Sequence, residues 1–447
     1  MSGAPALATG AEGLLAPRLE QRILPGLERM RRALDALGQP EKALTSVLVL
    51  GTNGKGSTAV LLAEMLQAHG VRCGLYTSPH LVAVEERIRT EGRTIAPGRL
   101  AGLVAGLDRF PELSYFETLT CAAIVEFAER GVDVAVLEAG LGGRWDASNA
   151  VDPAIALLTN VGTDHRQWLG DTRVAIAAEK AAALRGREAI VAEWDGEVEP
   201  VIRATADPAT PLSLASEWAE VNGPRAREAG NRQRGSGDRK NKAAGAACET
   251  RSVAPLGQRV AFAVGEAAGE ACLPLLGHYQ LGNLRLALAG FAALARHGLA
   301  PVPDPEAVRR GIEGTIWPGR LQWCSWRGRR LLVDGAHNRE AVAALAAALD
   351  RLGLSGRVHL LFSCLADKPV EEMAALLRPR VLGVTVAPID SPRATPMEAL
   401  AAAFPGCTRA PGVGAALRAL PTGPPTLVTG SLRLAGAVLA EIGSDHG

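Results

Sequence analysis

The residues with the clearest chemical meaning lie in Gly51-Thr-Asn-Gly-Lys-Gly-Ser-Thr58. An aliphatic run, Ser46-Val-Leu-Val-Leu50, leads straight into this glycine-rich turn, and a helical apolar spacing (Val60, Leu61, Leu62, Met65, Leu66) starts at Thr58. A buried strand, a tight loop and a helix start in that order aim unpaired backbone N–H groups at an anion. Lys55 adds a positive charge for phosphate, and Ser57 or Thr58 adds a hydroxyl for magnesium. Thr52, Asn53, Gly54, Lys55, Gly56, Ser57 and Thr58 therefore form a candidate phosphate cradle. Gly56 separates Lys55 from Ser57, which departs from the standard loop, where lysine directly precedes the hydroxyl residue.

Other polar residues follow apolar runs in the same way. Val132-Asp-Val-Ala-Val-Leu137 hands over to Glu138, and a carboxylate there can reach the magnesium of a bound nucleotide. Ser78 follows the run Val71–Tyr76, and His165 follows Ala154–Leu158 through Thr163-Asp164. Taken alone, His165 fits a ligand and a structural histidine equally well, and nothing in the composition singles out Lys180 from a solvated helix residue. Further on, Leu331-Leu-Val-Asp334-Gly-Ala-His337-Asn338 places Asp, His and Asn in one tight turn after a strand, which packing alone does not require. Trp317-Pro-Gly-Arg320, Ser391-Pro-Arg393 and Thr429-Gly-Ser431 are turns whose polar residues suit either a ligand or a plain loop.

These residues need a scaffold that brings strand ends together. Short apolar runs alternate with helical patterns along most of the chain, so the expected class is α/β with a mostly parallel sheet covered on both faces. In such sheets ligands gather at the carboxyl ends of the strands. Helices are expected over 19–37, 116–128, 172–184 and 279–295, with strands at 46–50, 71–76, 132–137, 154–158 and 189–192. Residues 1–17, rich in Ala, Gly and Pro, read as loose, and residues 81–95 as irregular. Pro301, Pro303 and Pro305 mark a linker, after which the pattern restarts with strands near 321–326, 330–333, 358–362, 381–386 and 426–428. Helices near 338–350, 369–377 and 431–441 complete a smaller, Rossmann-like α/β unit. The expected organisation is a phosphate-loop ATPase domain over 1–300 and a second domain over 301–447.

Composition narrows the function classes. A net charge of +1 over 447 residues argues against a nucleic-acid or anionic-membrane partner. No run approaches the roughly 20 apolar residues of a membrane span, and residues 1–20 lack the basic and apolar segments of a secretory leader. The seven cysteines are scattered, without the paired spacing of a zinc site, and read as free thiols of a cytoplasmic protein. Residues 223–252 carry eight Arg or Lys against three acids, with no apolar period and no aromatic residue. They read as a disordered, solvated insertion rather than a nucleic-acid arm.

Taken in order, Ile23-Leu-Pro-Gly-Leu-Glu-Arg29, Gly51–Thr58, Tyr76-Thr-Ser-Pro-His80, Glu86-Arg87-Ile88, Phe116-Glu-Thr, Glu138-Ala-Gly-Leu-Gly-Gly-Arg-Trp-Asp-Ala147, Asp164-His165 and Glu179-Lys180 resemble the folylpolyglutamate synthase and dihydrofolate synthase family, a branch of the Mur ligases. Asp334-Gly-Ala-His-Asn338, Asp367-Lys368-Pro and Thr429-Gly-Ser-Leu432 extend the resemblance to about residue 440. It implies an ATP-dependent amide ligase that phosphorylates a carboxylate and lets L-glutamate attack the acyl phosphate. It implies magnesium held by Ser57, Ser78 and Glu138, with a second ion at Glu138 and His165. Lys180 matches a carbamylated lysine, which makes Lys55, Glu138, His165 and Lys180 the catalytic set. Asn283, Arg320 and Asp334 would join the cradle in binding ATP. Arg87, His337 and Ser431 would take glutamate, and Phe116, Asp146 and Ala147 would line the pocket for dihydropteroate or a reduced folate. Ala139, Trp145 and Ala182 depart from the family's valine, leucine and glycine. A monomer without membrane or nucleic-acid partners is expected. Two rivals are a Mur-like ligase acting on another carboxylate, and a non-enzymatic nucleotide-binding protein that uses the basic insertion to bind nucleic acid.

Overall fold

The structure is a computed structural model that describes residues 10–18, 24–223, 247–248 and 257–444. Its largest sheet has eight strands: β1 (Thr45–Leu50), β2 (Cys73–Tyr76), β3 (Ile88–Thr90), β4 (Arg93–Thr94), β5 (Val134–Glu138), β6 (Ile155–Leu158), β7 (Glu188–Val191) and β8 (Leu212–Leu214). They lie in the order β4-β3-β2-β5-β1-β6-β7-β8. From β2 to β8 every pairing is parallel, and β3 and β4 add an antiparallel edge. Along β1, Leu48 and Leu50 enter the core on one face while Val47 and Val49 enter the core on the other. That two-sided burial explains why the central strands read as unbroken apolar runs.

A second sheet runs in the order Gln322–Trp326, Arg329–Val333, Thr426–Thr429, Val358–Phe362, Val381–Val386 and Thr408–Arg409. It is parallel except for its first pair. Helices Arg339–Arg351, Val370–Leu377 and Leu432–Ser444 accompany it. Between the two lies a small antiparallel sheet built on the hairpin Gly257–Val264 and Ala267–Leu273. The mixed α/β class, a phosphate-loop sheet followed by a smaller Rossmann-like one, is as expected.

Several local expectations are corrected. The helix expected over 19–37 is seen only as Glu28–Ala36, because Pro25 and Gly26 keep the preceding described residues out of helical conformation. The helix after the phosphate loop begins at Lys55, not Thr58; Gly54, with φ +87°, turns the chain into it. The "irregular" residues 81–95 contain β3 and β4, joined at Glu91-Gly92, where both residues have positive φ. Residues 11–15, expected to be loose, form a helical turn with Leu15 buried. Arg18 anchors it by donating to the carbonyls of Leu107, Phe110 and Leu113. Pro305 starts a helix, Pro305–Glu313, instead of ending a linker; Asp304 caps it, and proline is well suited to the first helical position. The expected insertion 223–252 lies outside the described residues except for Gly223 and the strand pair 247–248.

Candidate active site

Strand β1 lies between β5 and β6, so its loop meets the residues that follow both neighbours. The loop is fastened chiefly to the segment after β6. Thr159 Oγ1 donates to the Asn53 carbonyl at 2.7 Å, Asn160 Oδ1 accepts from Asn53 N at 3.0 Å, and Gly162 N donates to Thr52 Oγ1 at 2.8 Å. Lys55 Nζ donates back to the Thr52 carbonyl at 3.2 Å. On the other side, Glu138 closes β5 with its carboxylate buried, and its Oε2 accepts from Ser78 N at 3.0 Å. Burial raises the Glu138 carboxyl above its ordinary range, opposed by Lys55, the Ser78 N–H, Arg320 and Arg87.

The second sheet supplies the facing wall. Asp334 ends the strand Arg329–Val333 and accepts from Leu321 N at 2.9 Å and Ala336 N at 2.8 Å, which folds the turn that presents His337. Burial raises its carboxyl, against the pull of Arg320. Asn338 Oδ1 caps the following helix through Ala341 N at 2.8 Å, and its Nδ2 reaches Asn53 Oδ1 at 3.0 Å in the phosphate loop. Ser431 Oγ caps the last helix by accepting from Arg433 N at 3.0 Å.

These walls enclose one cavity of about 1060 Å³. The structure brings nearly all of the expected site residues to its lining. From the first sheet come Thr52, Asn53, Gly54, Lys55, Gly56, Ser57, Ser78, Arg87, Phe116, Glu138, Asp146, Ala147 and His165, and beyond it Asn283, Arg320, Asp334, His337 and Ser431. Thr58 is not among them. It faces inward from the helix, and its hydroxyl, buried, has no hydrogen-bond partner. Lys180 sits behind the loop in a small adjoining pocket shared with Lys55, Asp164 and His165. Its ammonium is buried and donates to the Gly51 carbonyl at 2.8 Å. Burial, helped by Lys55, pushes it down to about 7.

His165 stands in left-handed conformation at the start of the short helix Arg166–Leu169. Desolvation, Lys368 and Lys55 push its imidazole down to about 4, against the pull of Asp164. A neutral imidazole keeps a lone pair free for a metal. Among the described residues no three His, Cys, Asp or Glu side chains converge as a metal cluster. Hydroxyls and one carboxylate beside a phosphate cradle instead suit magnesium, which keeps waters and takes phosphate oxygens as ligands.

Residues 49–208 match the Mur ligase middle domain, and residues 319–430 match the Mur ligase glutamate ligase domain. The dihydrofolate synthase/folylpolyglutamate synthase of Bacillus subtilis is 32% identical over 391 residues, covering 85% of this chain and 84% of that one. This chain belongs to the folylpolyglutamate synthase and dihydrofolate synthase family. A probable bifunctional folylpolyglutamate synthase/dihydropteroate synthase of Haloferax volcanii is 35% identical over 86% of this chain, which spans only 43% of that longer protein. Among solved structures, Escherichia coli FolC in complex with DHPP and ADP is 27% identical, with a TM-score of 0.80 over 99% of this chain and 100% of that one. The Yersinia pestis bifunctional enzyme complexed with AMPPNP and Mn ion is 27% identical, with a TM-score of 0.77 over the same shares.

Beside the expected residues, the site has neighbours from distant parts of the chain. Trp317 lies over Gly56, Arg89 lies over Trp317 with its guanidinium 5.5 Å from the ring centre, and Glu340 accepts from Thr163 N at 3.1 Å. Asp164 pairs with Lys368 at 2.7 Å. Asp164 and Lys368 sit in the motifs that carry the resemblance, and Trp317 adjoins Arg320, but nothing local in the sequence shows what they touch. The carboxylate of Asp146 is engaged within its own loop by Leu141 N at 2.7 Å and Ser148 N at 2.9 Å.

Proposed function

We propose that this chain is an ATP-dependent ligase of folate metabolism that joins L-glutamate to dihydropteroate, to a reduced folate, or to both. The observation that carries this reading is the cavity in which the phosphate loop and Glu138 face the Asp334–His337 turn. A nucleotide, a carboxylate acceptor and an amino acid can meet there.

In the proposed reaction a substrate carboxylate oxygen attacks the γ-phosphorus of ATP, giving an acyl phosphate and ADP. The glutamate amine then attacks the acyl carbon, and phosphate leaves from the tetrahedral intermediate. Both reactants of the first step are anions, so the site must neutralise charge as they approach. Lys55 and the N–H groups at the start of its helix do so from one side. Ser57, Ser78, Glu138 and His165 would hold magnesium, which when bound supplies further positive charge at the transferring phosphoryl group. Asn283, Arg320 and Asp334 are assigned to the nucleotide, and Arg87, His337 and Ser431 to glutamate. Phe116, Asp146 and Ala147 are assigned to the pterin side. We assign Lys180 as a carbamate carrier: an amine held near 7 by burial is about half deprotonated at neutral pH, and the neutral amine is the form that reacts with carbon dioxide. Six free cysteines among the described residues accord with a reducing cytoplasm.

The test is an assay of purified protein with ATP, magnesium and L-glutamate, offering dihydropteroate and a reduced folate in turn. Glutamate-dependent ADP release with a product heavier by one glutamyl residue is expected for at least one acceptor. No such release with either acceptor overturns the reading.

A further inference from the structure

We propose that Asp164 is a positioning residue whose ion pair with Lys368 clamps the glutamate-side turn onto the phosphate loop. The proposal rests on the ligase reading for its kinetic consequences, but the clamp itself is a feature of the fold.

Asp164 leaves the loop after β6, and Lys368 precedes the helix Val370–Leu377 on the second sheet. Their side chains are 10% and 7% exposed, and Oδ1 accepts from Nζ at 2.7 Å. The other oxygen, Oδ2, accepts from Asn338 Nδ2 at 3.1 Å and lies 3.6 Å from His337 Nε2. The same Asn338 amide reaches Asn53 in the phosphate loop, and Glu340 reaches Thr163. Residues 338–340, the start of one helix, are thus fastened at two points to the residues that shape the nucleotide site. Asp164 is the joint between them, because it accepts from both Lys368 and Asn338.

A paired, nearly buried carboxylate is poor evidence for stability, since desolvation offsets most of the attraction. It is a good device for registry. Parting the two sheets removes Lys368, Asn338 and His337 from Asp164 together, leaving the His165 N–H of its own loop on Oδ1 at 2.9 Å, and water can replace the lost partners at the open cleft. Closed, they set where His337 stands relative to the phosphate loop. Both oxygens of Asp164 are engaged by protein donors, so the residue acts through its neighbours.

The experiment compares Lys368→Met, Asp164→Asn, the double variant and Lys368→Arg with wild type. By the usual size of coupled effects, either single change raises KM for L-glutamate about tenfold, while ADP affinity by calorimetry moves less than about threefold. The double variant is no worse than the worse single one, and Lys368→Arg restores most of the loss. Small-angle scattering with AMP-PNP and magnesium supplies a readout independent of turnover: wild type contracts, and Lys368→Met stays expanded. Wild-type glutamate kinetics in Lys368→Met, a matching loss of ADP affinity, or wild-type contraction in that variant overturns the clamp. If Asp164→Asn fails to fold, the two Lys368 variants decide alone. An inactive wild type that still contracts through Lys368 retains the clamp and counts against the ligase reading only.

Discussion

Gly56 lies directly beneath the indole of Trp317. A Cβ at residue 56 would stand 2.7 Å from Trp317 Cζ2 and 3.2 Å from Glu138 Oε2. The extra glycine of the phosphate loop is therefore a point of close approach between the loop helix, the carboxylate that closes β5 and the segment that leads to the second sheet. Trp317 cannot retreat freely, because Arg89 lies against it. Gly56→Ala must move the indole or the carboxylate. Overpacking of this kind costs about 1–3 kcal/mol of stability, which leaves a folded protein. A displacement near 1 Å at the site can cost on the order of a hundredfold in rate. A large fall in kcat/KM for ATP with a modest fall in melting temperature is expected, with partial recovery in Gly56→Ala/Trp317→Phe. Full activity of Gly56→Ala would show that the contact has no role.

Lys180 separates activity from stability. Burial pushes its ammonium from the ordinary 10.5 down to about 7. Between those values the unfolded chain binds the extra proton, so this residue's contribution to stability improves as pH rises from about 7 to about 10.5. Below about 7 both states are protonated and the full cost of burying the charge is present. Lys180→Met removes that cost, and with it the hydrogen bond to Gly51. The variant should lose nearly all ligase activity yet melt no lower than wild type at pH 6. If carbamylation supplies the activity, wild type depleted of carbon dioxide should regain turnover on adding bicarbonate, and the variant should not. Turnover that ignores bicarbonate would leave Lys180 a cation in function.

Metal removal offers a third test. Glu138 is the one carboxylate assigned to the ion, and burial already raises it, so its anion depends on cationic company. Chelation should abolish ADP release, and magnesium or manganese should restore it. Glu138→Gln keeps the shape but removes the charge. It should raise the metal concentration needed for half-maximal rate by at least about tenfold, the scale of losing one ionic interaction in a polar site. An unchanged metal requirement in Glu138→Gln would move the ion elsewhere.

How much of this was legible in the chain depends on distance along it. The phosphate loop, Ser78, Glu138 and His165 could be found because each lies in the segment that leaves an apolar run, and the α/β rule places such residues together. The Asp334–Asn338 turn was legible for the same reason. Trp317 over Gly56 and Lys368 on Asp164 were not, since such pairings appear only once two sheets are set face to face. Lys180 was singled out by resemblance alone; its burial, which gives it chemical interest, leaves no mark on a short helix of alanines. Among local elements, the β3–β4 hairpin was missed because half-buried Arg89 and exposed Arg93 dilute its apolar alternation. The helix Pro97–Gly106 was hidden by glycines at 98, 102 and 106.

The pterin side rests on Phe116, and its surroundings make the prediction specific. Ser114 caps the helix Tyr115–Arg130 by accepting from Glu117 N, while Glu117 returns a bond to Ser114 N at 2.8 Å. Arg29 ties Glu117 to the helix Glu28–Ala36 at 2.9 Å. Phe116, in the first turn of this fixed helix, therefore has little freedom. Its ring lies against Gly140, where a Cβ would come within 2.7 Å, and 5.8 Å from the ring centre of Tyr76. One face is spent on the protein, and the cavity takes the rest. Phe116→Ala removes an aromatic wall without touching the phosphate loop. Half or more of the roughly 1.5–3 kcal/mol gained by burying such a side chain would be lost from substrate binding. KM for the pterin-bearing acceptor should rise about three- to thirtyfold, with KM for ATP nearly unchanged. Phe116→Tyr, which keeps the ring, should recover most of it. If ATP and acceptor are affected equally, the ring supports the whole cleft and is not a pterin contact.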